Sequence, residues 1–262
     1  MQSLKILIAF LVIGLSVQAQ NMNNSMAQNR LSAFNVAHAG LDGNQINYSA
    51  LLNSRYGSNS SLLFETQFGK SNFSFSGQIE NSANFFYAAQ RKQLGLSYRI
   101  DLQNGKKLNF GVGYGTGSSS YLSSSSDLNY KSRHYQTTRL GAIYSGDRFK
   151  VGAEFAMNFG KYGAPNFNAL NLLYQQVIVD RERFKLTTNL VVSNFTSSLE
   201  ANMLFNNKVK LVTGVDSNRG IYLGAGYKFT NKFEINLSSG IQPSYSINNS
   251  VPVMQIGFKL AL

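Results

Sequence analysis

Apolar and polar residues alternate with a period of two along most of this chain. Phe233, Ile235 and Leu237 alternate with Lys232, Glu234, Asn236 and Ser238. Phe149, Val151, Ala153, Phe155, Met157 and Phe159 alternate with Lys150, Gly152, Glu154 and Asn158, and Leu108, Phe110, Val112 and Tyr114 with Asn109, Gly111 and Gly113. Successive side chains of a strand point to opposite faces, so this pattern predicts strands with one greasy face and one small or charged face. It predicts about 14 of them, with 12 or 16 as alternatives. The spans are near 45–55, 61–68, 72–80, 92–102, 107–116, 134–145, 148–159, 167–179, 183–193, 198–206, 208–216, 220–230, 232–241 and 251–262. The span 167–179 carries apolar residues in both of its phases and shows the alternation least clearly. Most spans approach the roughly 9–11 residues that a tilted strand needs to cross a bilayer.

The connections alternate in length. Gly69-Lys70-Ser71, Asn104-Gly105, Gly146-Asp147, Asp180-Arg181-Glu182, Asn206-Asn207 and Asn231 read as short turns after even-numbered strands, built from residues that tolerate hairpin geometry. The other connections are longer, and the longest is expected at 117–133, which is rich in Ser. Short turns on one side and long loops on the other are the asymmetry of outer-membrane barrels. The final span, with Met254, Ile256, Phe258, Leu260 and Leu262 on one face, is expected to close against the first, because an open sheet edge does not sit in lipid. A secreted β-sandwich or lipocalin-like shell would also alternate, but would not need one-sided long loops. The fold expected is an all-β transmembrane antiparallel barrel over 45–262.

Composition narrows the class. Charged residues are 14% of the 262, against roughly 25% in ordinary soluble domains. Lys5 precedes an apolar run at 6–15, and Val17-Gln18-Ala19 offers small residues for cleavage. Residues 1–19 therefore read as a secretory signal peptide, cut between Ala19 and Gln20. The run is shorter than the roughly 20 residues of a spanning helix. Residues 20–44 do not alternate and read as a periplasmic or plug segment, with Met22, Met26 and Arg30 on one helical face. The chain has no Cys, which excludes disulfides, thiolate metal sites and a lipid-modified Cys anchor.

Several segments, in order, resemble the PorP/SprF family of outer-membrane proteins from type IX secretion and gliding machinery. Asn35-Val36-Ala37-His38-Ala39-Gly40 resembles that family's Asn-Pro-Ala-Tyr-Ala-Gly, with Val and His in place of Pro and Tyr. The stretches 94–100 and 107–113 around Asn104-Gly105 resemble its central hairpin, 198–205 the start of its C-terminal portion, and 224–229 with 233–237 its closing hairpins. The resemblance implies a non-enzymatic barrel in the outer membrane of a Bacteroidota-like cell. It also implies contact with lipid and with periplasmic motor-ring lipoproteins, and a part in secreting or anchoring a surface adhesin.

Candidate chemistry is sparse. A Ser–His pair using His134 after the Ser-rich segment is conceivable, but a solvated or girdle histidine explains it better, and no catalytic residue is expected. His38, between small residues, reads as a packing residue. With two His and no Cys, no metal or cofactor is expected. Gly111, Gly113, Gly115 and Gly117 alternate with larger residues and precede no helix, so they read as small lumen-facing positions rather than a phosphate loop. The formal charge of +12 raises the question of nucleic acid, but the bases are scattered one or two per strand. Arg55, Arg99, Lys150, Lys185, Lys210, Lys228 and Lys259 read as lumen or rim charges. A basic interior would favour anions, which makes a small anion-preferring porin the alternative function.

Overall fold

A computed structural model describes residues 31, 35–53, 57–69, 71–83, 87–122, 130–161, 167–194, 197–217, 220–242 and 251–262. Fourteen strands form one closed antiparallel barrel: β1 Gln45–Asn53, β2 Gly57–Gln67, β3 Phe73–Ala83, β4 Tyr87–Asp101, β5 Lys107–Leu122, β6 Tyr130–Ser145 and β7 Phe149–Lys161, then β8 Phe167–Arg181, β9 Phe184–Ser193, β10 Ser197–Phe205, β11 Val209–Asp216, β12 Gly220–Lys228, β13 Phe233–Gln242 and β14 Val251–Ala261. Each strand pairs with its sequence neighbours, and β1 closes on β14 with Gln45 opposite Ala261.

The two phases separate as the alternation predicts. Outward-facing Leu94, Leu96, Tyr98, Phe110, Val112, Tyr114, Ile221, Leu223 and Leu237 are exposed. Inward-facing Gln45, Asn47, Ser61, Gln93, Asn109, Asn189, Asn202 and Gln255 are buried. Exposed grease around a polar interior is the inverse of a soluble domain, and only a hydrocarbon surround makes it favourable. Among the described residues no helix is long and apolar enough to cross a membrane. Transmembrane attachment rests on the barrel wall.

The short turns share one end. Asn104 (φ 60°) with Gly105 (φ 73°), and Asn206 (φ 47°) with Asn207 (φ 55°), occupy the left-handed region, which matches the right-handed strand twist in tight hairpins. The turn expected at 180–182 is displaced, because β8 continues to Arg181 and a bulge between Val177 and Val179 takes up one residue. Aromatic pairs gather near this end: Phe73 with Tyr98 at 4.8 Å between ring centroids, Phe184 with Phe205 at 5.1 Å and Tyr227 with Phe229 at 5.0 Å. They form the interfacial girdle on the short-turn side.

The Ser-rich loop expected at 117–133 is corrected. β5 runs to Leu122 and β6 starts at Tyr130, paired in register from Leu122 opposite Tyr130 downward. On β5 the outward phase changes from Phe110, Val112 and Tyr114 to Thr116, Ser118 and Ser120. The strand has left the lipid, so its outward residues turn polar while the hydrogen-bond ladder continues. Alternation disappears although the strand does not. β4 likewise begins at Tyr87, five residues before its expected start.

Candidate functional site: a docked segment in the lumen

Residues 35–44 leave the lumen at the short-turn end, where the Leu262 N–H donates to the Asn44 carbonyl at 3.0 Å. Within the barrel, Val36–His38 form a single 3-10 turn, with every residue from Asn35 to Gly40 buried. The expected amphipathic helix falls outside the described residues except Leu31. That residue carries helical backbone, is 2% exposed, and packs in a lumen cluster with Ala37, Ile143, Leu173 and Val191.

Asn35 organises the turn. Its Oδ1 accepts the Ala37 N–H at 2.9 Å, the ordinary role of Asn at an N-cap. Its Nδ2 donates to the carbonyls of Ala142 at 3.2 Å and Ala153 at 3.1 Å. These two residues face each other across β6 and β7, so one side chain ties the segment to two strands. The Val36 N–H donates to Glu154 Oε2 at 2.7 Å, and Ser97 Oγ donates to the Ala39 carbonyl at 3.0 Å.

Glu154 is fully buried and paired. Arg139 Nη2 lies 2.8 Å from its Oε2, Arg139 Nε donates to its Oε1 at 2.8 Å, and Asn171 donates to Oε1 at 3.0 Å. Arg139 also donates to Gln93 at 3.0 Å. A buried carboxylate needs such a shell of partners, and here the backbone of residue 36 supplies part of it.

The lumen wall is hollowed to receive the turn. A Cβ at Gly111 would sit 2.5 Å from the Ala37 nitrogen, one at Gly95 2.4 Å from Val36 Cγ2, and one at Gly141 2.4 Å from Asn35 Oδ1. The glycines of 111–117 do face the lumen, and the reason for Gly111 is a close approach of backbone to backbone. Sequence reading found the small residues but not what they make room for.

At the mouth of the lumen, Lys150 Nζ donates to Asp42 Oδ1 at 2.7 Å and lies 3.4 Å from His38 Nε2. His38 Nε2 is 3.8 Å from Asp42 Oδ2. His38 is 1% exposed. Burial, with Lys150 and Lys259 adding to it and Asp42 opposing, pushes its imidazole down from 6.5 to about 3. It stays neutral at ordinary pH and accepts from Lys150. Burial works against the Asp42 charge, but His38, Lys150 and Lys259 outweigh it and hold its carboxyl below the usual carboxylate range.

The candidate charges distribute as follows. Arg99 is half-buried and lies 3.3 Å from Asp101. Lys185 pairs with Asp180 at 3.2 Å on the exposed rim. Lys210 pairs with Glu234 at 3.3 Å in the lumen, with Lys228 and Lys259 directly opposite Glu234 on the neighbouring strands. Arg55 lies outside the described residues. His134 points outward and is exposed, with Ser118 and Lys161 as its cross-strand partners; neither supplies the carboxylate that would orient a catalytic imidazole. Among the described residues no three His, Asp or Glu side chains converge as metal ligands would.

No family model and no curated protein matches the sequence. Solved structures do match the fold. The toluene transporter TodX of P. putida aligns over 94% of this chain and 96% of its own, with a TM-score of 0.57 and 12% identity. The toluene transporter TbuX of Ralstonia pickettii aligns over 95% and 98%, with a TM-score of 0.59 and 9% identity. The monoaromatic hydrocarbon channel CymD aligns over 84% and 88%, with a TM-score of 0.51 and 11% identity. At these identities the likeness is one of architecture. Together with the greasy outer wall, it makes the chain a transmembrane β-barrel of the bacterial outer-membrane type.

Proposed function

We propose that this barrel is a closed anchoring component of a type IX secretion or gliding machinery, of the PorP/SprF kind, exported by residues 1–19 and held in the lipid by its wall. The observation that carries the reading is the role of residues 35–40. The segment that resembles the family's early motif is the segment seated in the lumen, and Asn35, Ala37, His38 and Gly40 each have a steric or hydrogen-bonding reason to be there. The interior supports it further. Carboxamides such as Gln93, Gln175, Asn189 and Asn202 are buried and hydrogen-bonded to other lumen side chains, so they face protein and not a wide aqueous pore. Its partners are then a periplasmic motor-ring lipoprotein and a surface adhesin or other exported cargo. Crosslinked outer membranes should yield both on purification of the barrel. Recovery of the barrel without either overturns the role.

The second reading is a conducting channel, favoured by Lys150, Lys210, Lys228 and Lys259 along the short-turn half of the lumen and by the transport named for the structural neighbours. Planar bilayers separate the two. The closed reading expects no steady conductance from the intact protein; steady, anion-selective, salt-dependent conductance would establish the porin.

A further inference from the structure

One stretch of the lumen wall carries polar groups that make no hydrogen bond to the described part of the docked segment, although Lys259 lies within the field of its His38 and Asp42. Lys259 on β14 is half-buried, and among the described residues its ammonium makes no ion pair or hydrogen bond. Glu234, its direct neighbour on β13, pairs with Lys210 instead. On the other side Lys259 faces Asn47 of β1. Asn47 is 4% exposed, yet neither its Nδ2 nor its Oδ1 has a partner among the described residues. A buried carboxamide left this way forfeits the desolvation free energy of a donor and an acceptor.

Beside these two lies a notch. Gly257 follows the same lumen face of β14, between Ser49 and Asn236. A Cβ there would meet nothing closer than the Tyr48 carbonyl at 3.5 Å. Gly111 and Gly226 differ, since a Cβ on either would strike a neighbour at 2.5 Å or less. Packing does not demand glycine at 257: a methyl there would sit in ordinary van der Waals contact, so the glycine leaves a methyl-sized notch on the lumen face. Asn236 bounds that space, with its carboxamide leaning over Gly226. Lys210, Lys228 and Lys259 gather around Glu234, with Asp42 within the field of Lys259 and Glu65 opposite Gln45 on the far side of β1.

We propose that Lys259, Asn47 and the Gly257 notch form a binding site for a small hydroxycarboxylate. The ammonium takes the carboxylate. Asn47 Nδ2 donates to a carboxylate oxygen, and Asn47 Oδ1 accepts from the hydroxyl, so both ends of the carboxamide are satisfied together. A simple carboxylate leaves Oδ1 unpaired, and a site built around a hydroxyl discriminates strongly against the analogue lacking it.

Calorimetric titration of the purified full-length barrel in detergent with lactate and with propionate tests this. Lactate should bind at least about 10-fold more tightly than propionate. Lys259→Met should abolish lactate binding and Lys259→Arg should keep it. Gly257→Val, which removes no polar group, should abolish it by filling the notch. Lys92→Met, on the outward face of β4, should leave it unchanged, and heat-modifiable gel migration reports whether each variant has folded. Equal binding of lactate and propionate to the wild-type barrel, or lactate binding that survives Lys259→Met or Gly257→Val, would overturn the proposal.

Discussion

The docked segment should loosen as pH falls, and His38 sets by how much. Released into water, its imidazole titrates near 6.5; docked, it titrates near 3. The released state therefore binds the proton more readily. The contribution of His38 to docking is fully present above 6.5 and is lost as pH falls from 6.5 toward 3. Asp42 does not offset this between pH 7 and 5. Its pKa starts at 3.8 when free and is lower still when docked, so it stays charged in both states. One pH unit on the sloping region corresponds to 1.36 kcal/mol. Moving from pH 7 to pH 5 then weakens docking by about 2 kcal/mol, or roughly 25-fold in the docked-to-released ratio. The structural reason is charge crowding, because a protonated His38 would face Lys150 at 3.4 Å, with Lys259 nearby and only Asp42 to compensate. The chain has no Trp, so Leu41→Trp gives a single emission reporter at the edge of the lumen cluster. Urea titration of that emission at pH 7 and pH 5 measures docking at each pH while the barrel stays folded. His38→Gln in the same background should remove the difference. A docking free energy that is the same at both pH values, or a pH response that survives His38→Gln, would refute the reasoning.

Two further outcomes follow from the docking contacts and one from a turn of the wall. Gly111→Ala places a methyl 2.5 Å from the backbone nitrogen of residue 37; it should release the segment, seen as red-shifted Leu41→Trp emission at neutral pH, while strand content by circular dichroism is unchanged. Glu154→Ala strands the Arg139 guanidinium without its carboxylate and should cost about 3–5 kcal/mol in urea unfolding. Replacing Asn206 and Asn207 together by Ala forces two L side chains into the left-handed region; this should cost about 2–4 kcal/mol, and the Gly-Gly variant should recover most of it.

Much of the barrel was legible because its physics is local. A wall one strand thick, with lipid on one side and a polar lumen on the other, writes a two-residue period directly into the sequence. The short turns were legible for the same reason, since Asn206 and Asn207 must take positive φ themselves. The pattern failed in 117–133, where the outward positions Ser118 and Ser120 of β5 are polar and only the backbone ladder marks the strand. The docked segment was partly legible, since 35–40 breaks the alternation. Its partners were not, because Glu154 and Arg139 each look like one more lumen charge on their own strands. Only closure of the barrel brings residue 36 within 2.7 Å of Glu154.

The barrel is lopsided, and this explains why the segment docks where it does. β4 to β8 have 15, 16, 16, 13 and 15 residues, while β9 to β13 have 10, 9, 8, 9 and 10. The long strands continue past the lipid and gain ladder pairing there, so this wall can tolerate glycine in its lower half. Gly95, Gly111, Gly141 and Gly152 would by themselves weaken it by about 0.5–1 kcal/mol each relative to Ala, or about 2–4 kcal/mol together. Docking supplies four hydrogen bonds to the same wall, from Asn35 to two carbonyls, from the Val36 N–H to Glu154 and from Ser97 to Ala39. At about 1 kcal/mol each, they are of the same size. Neither the groove nor the segment is then favourable alone. A glycine groove without its occupant would leave Glu154 short of a donor and strand backbone open to the lumen. The segment without the groove would collide with β5 at Ala37. The two stand as one unit, which is why a perturbation at either, a proton on His38 or a methyl on Gly111, should be read out at the other.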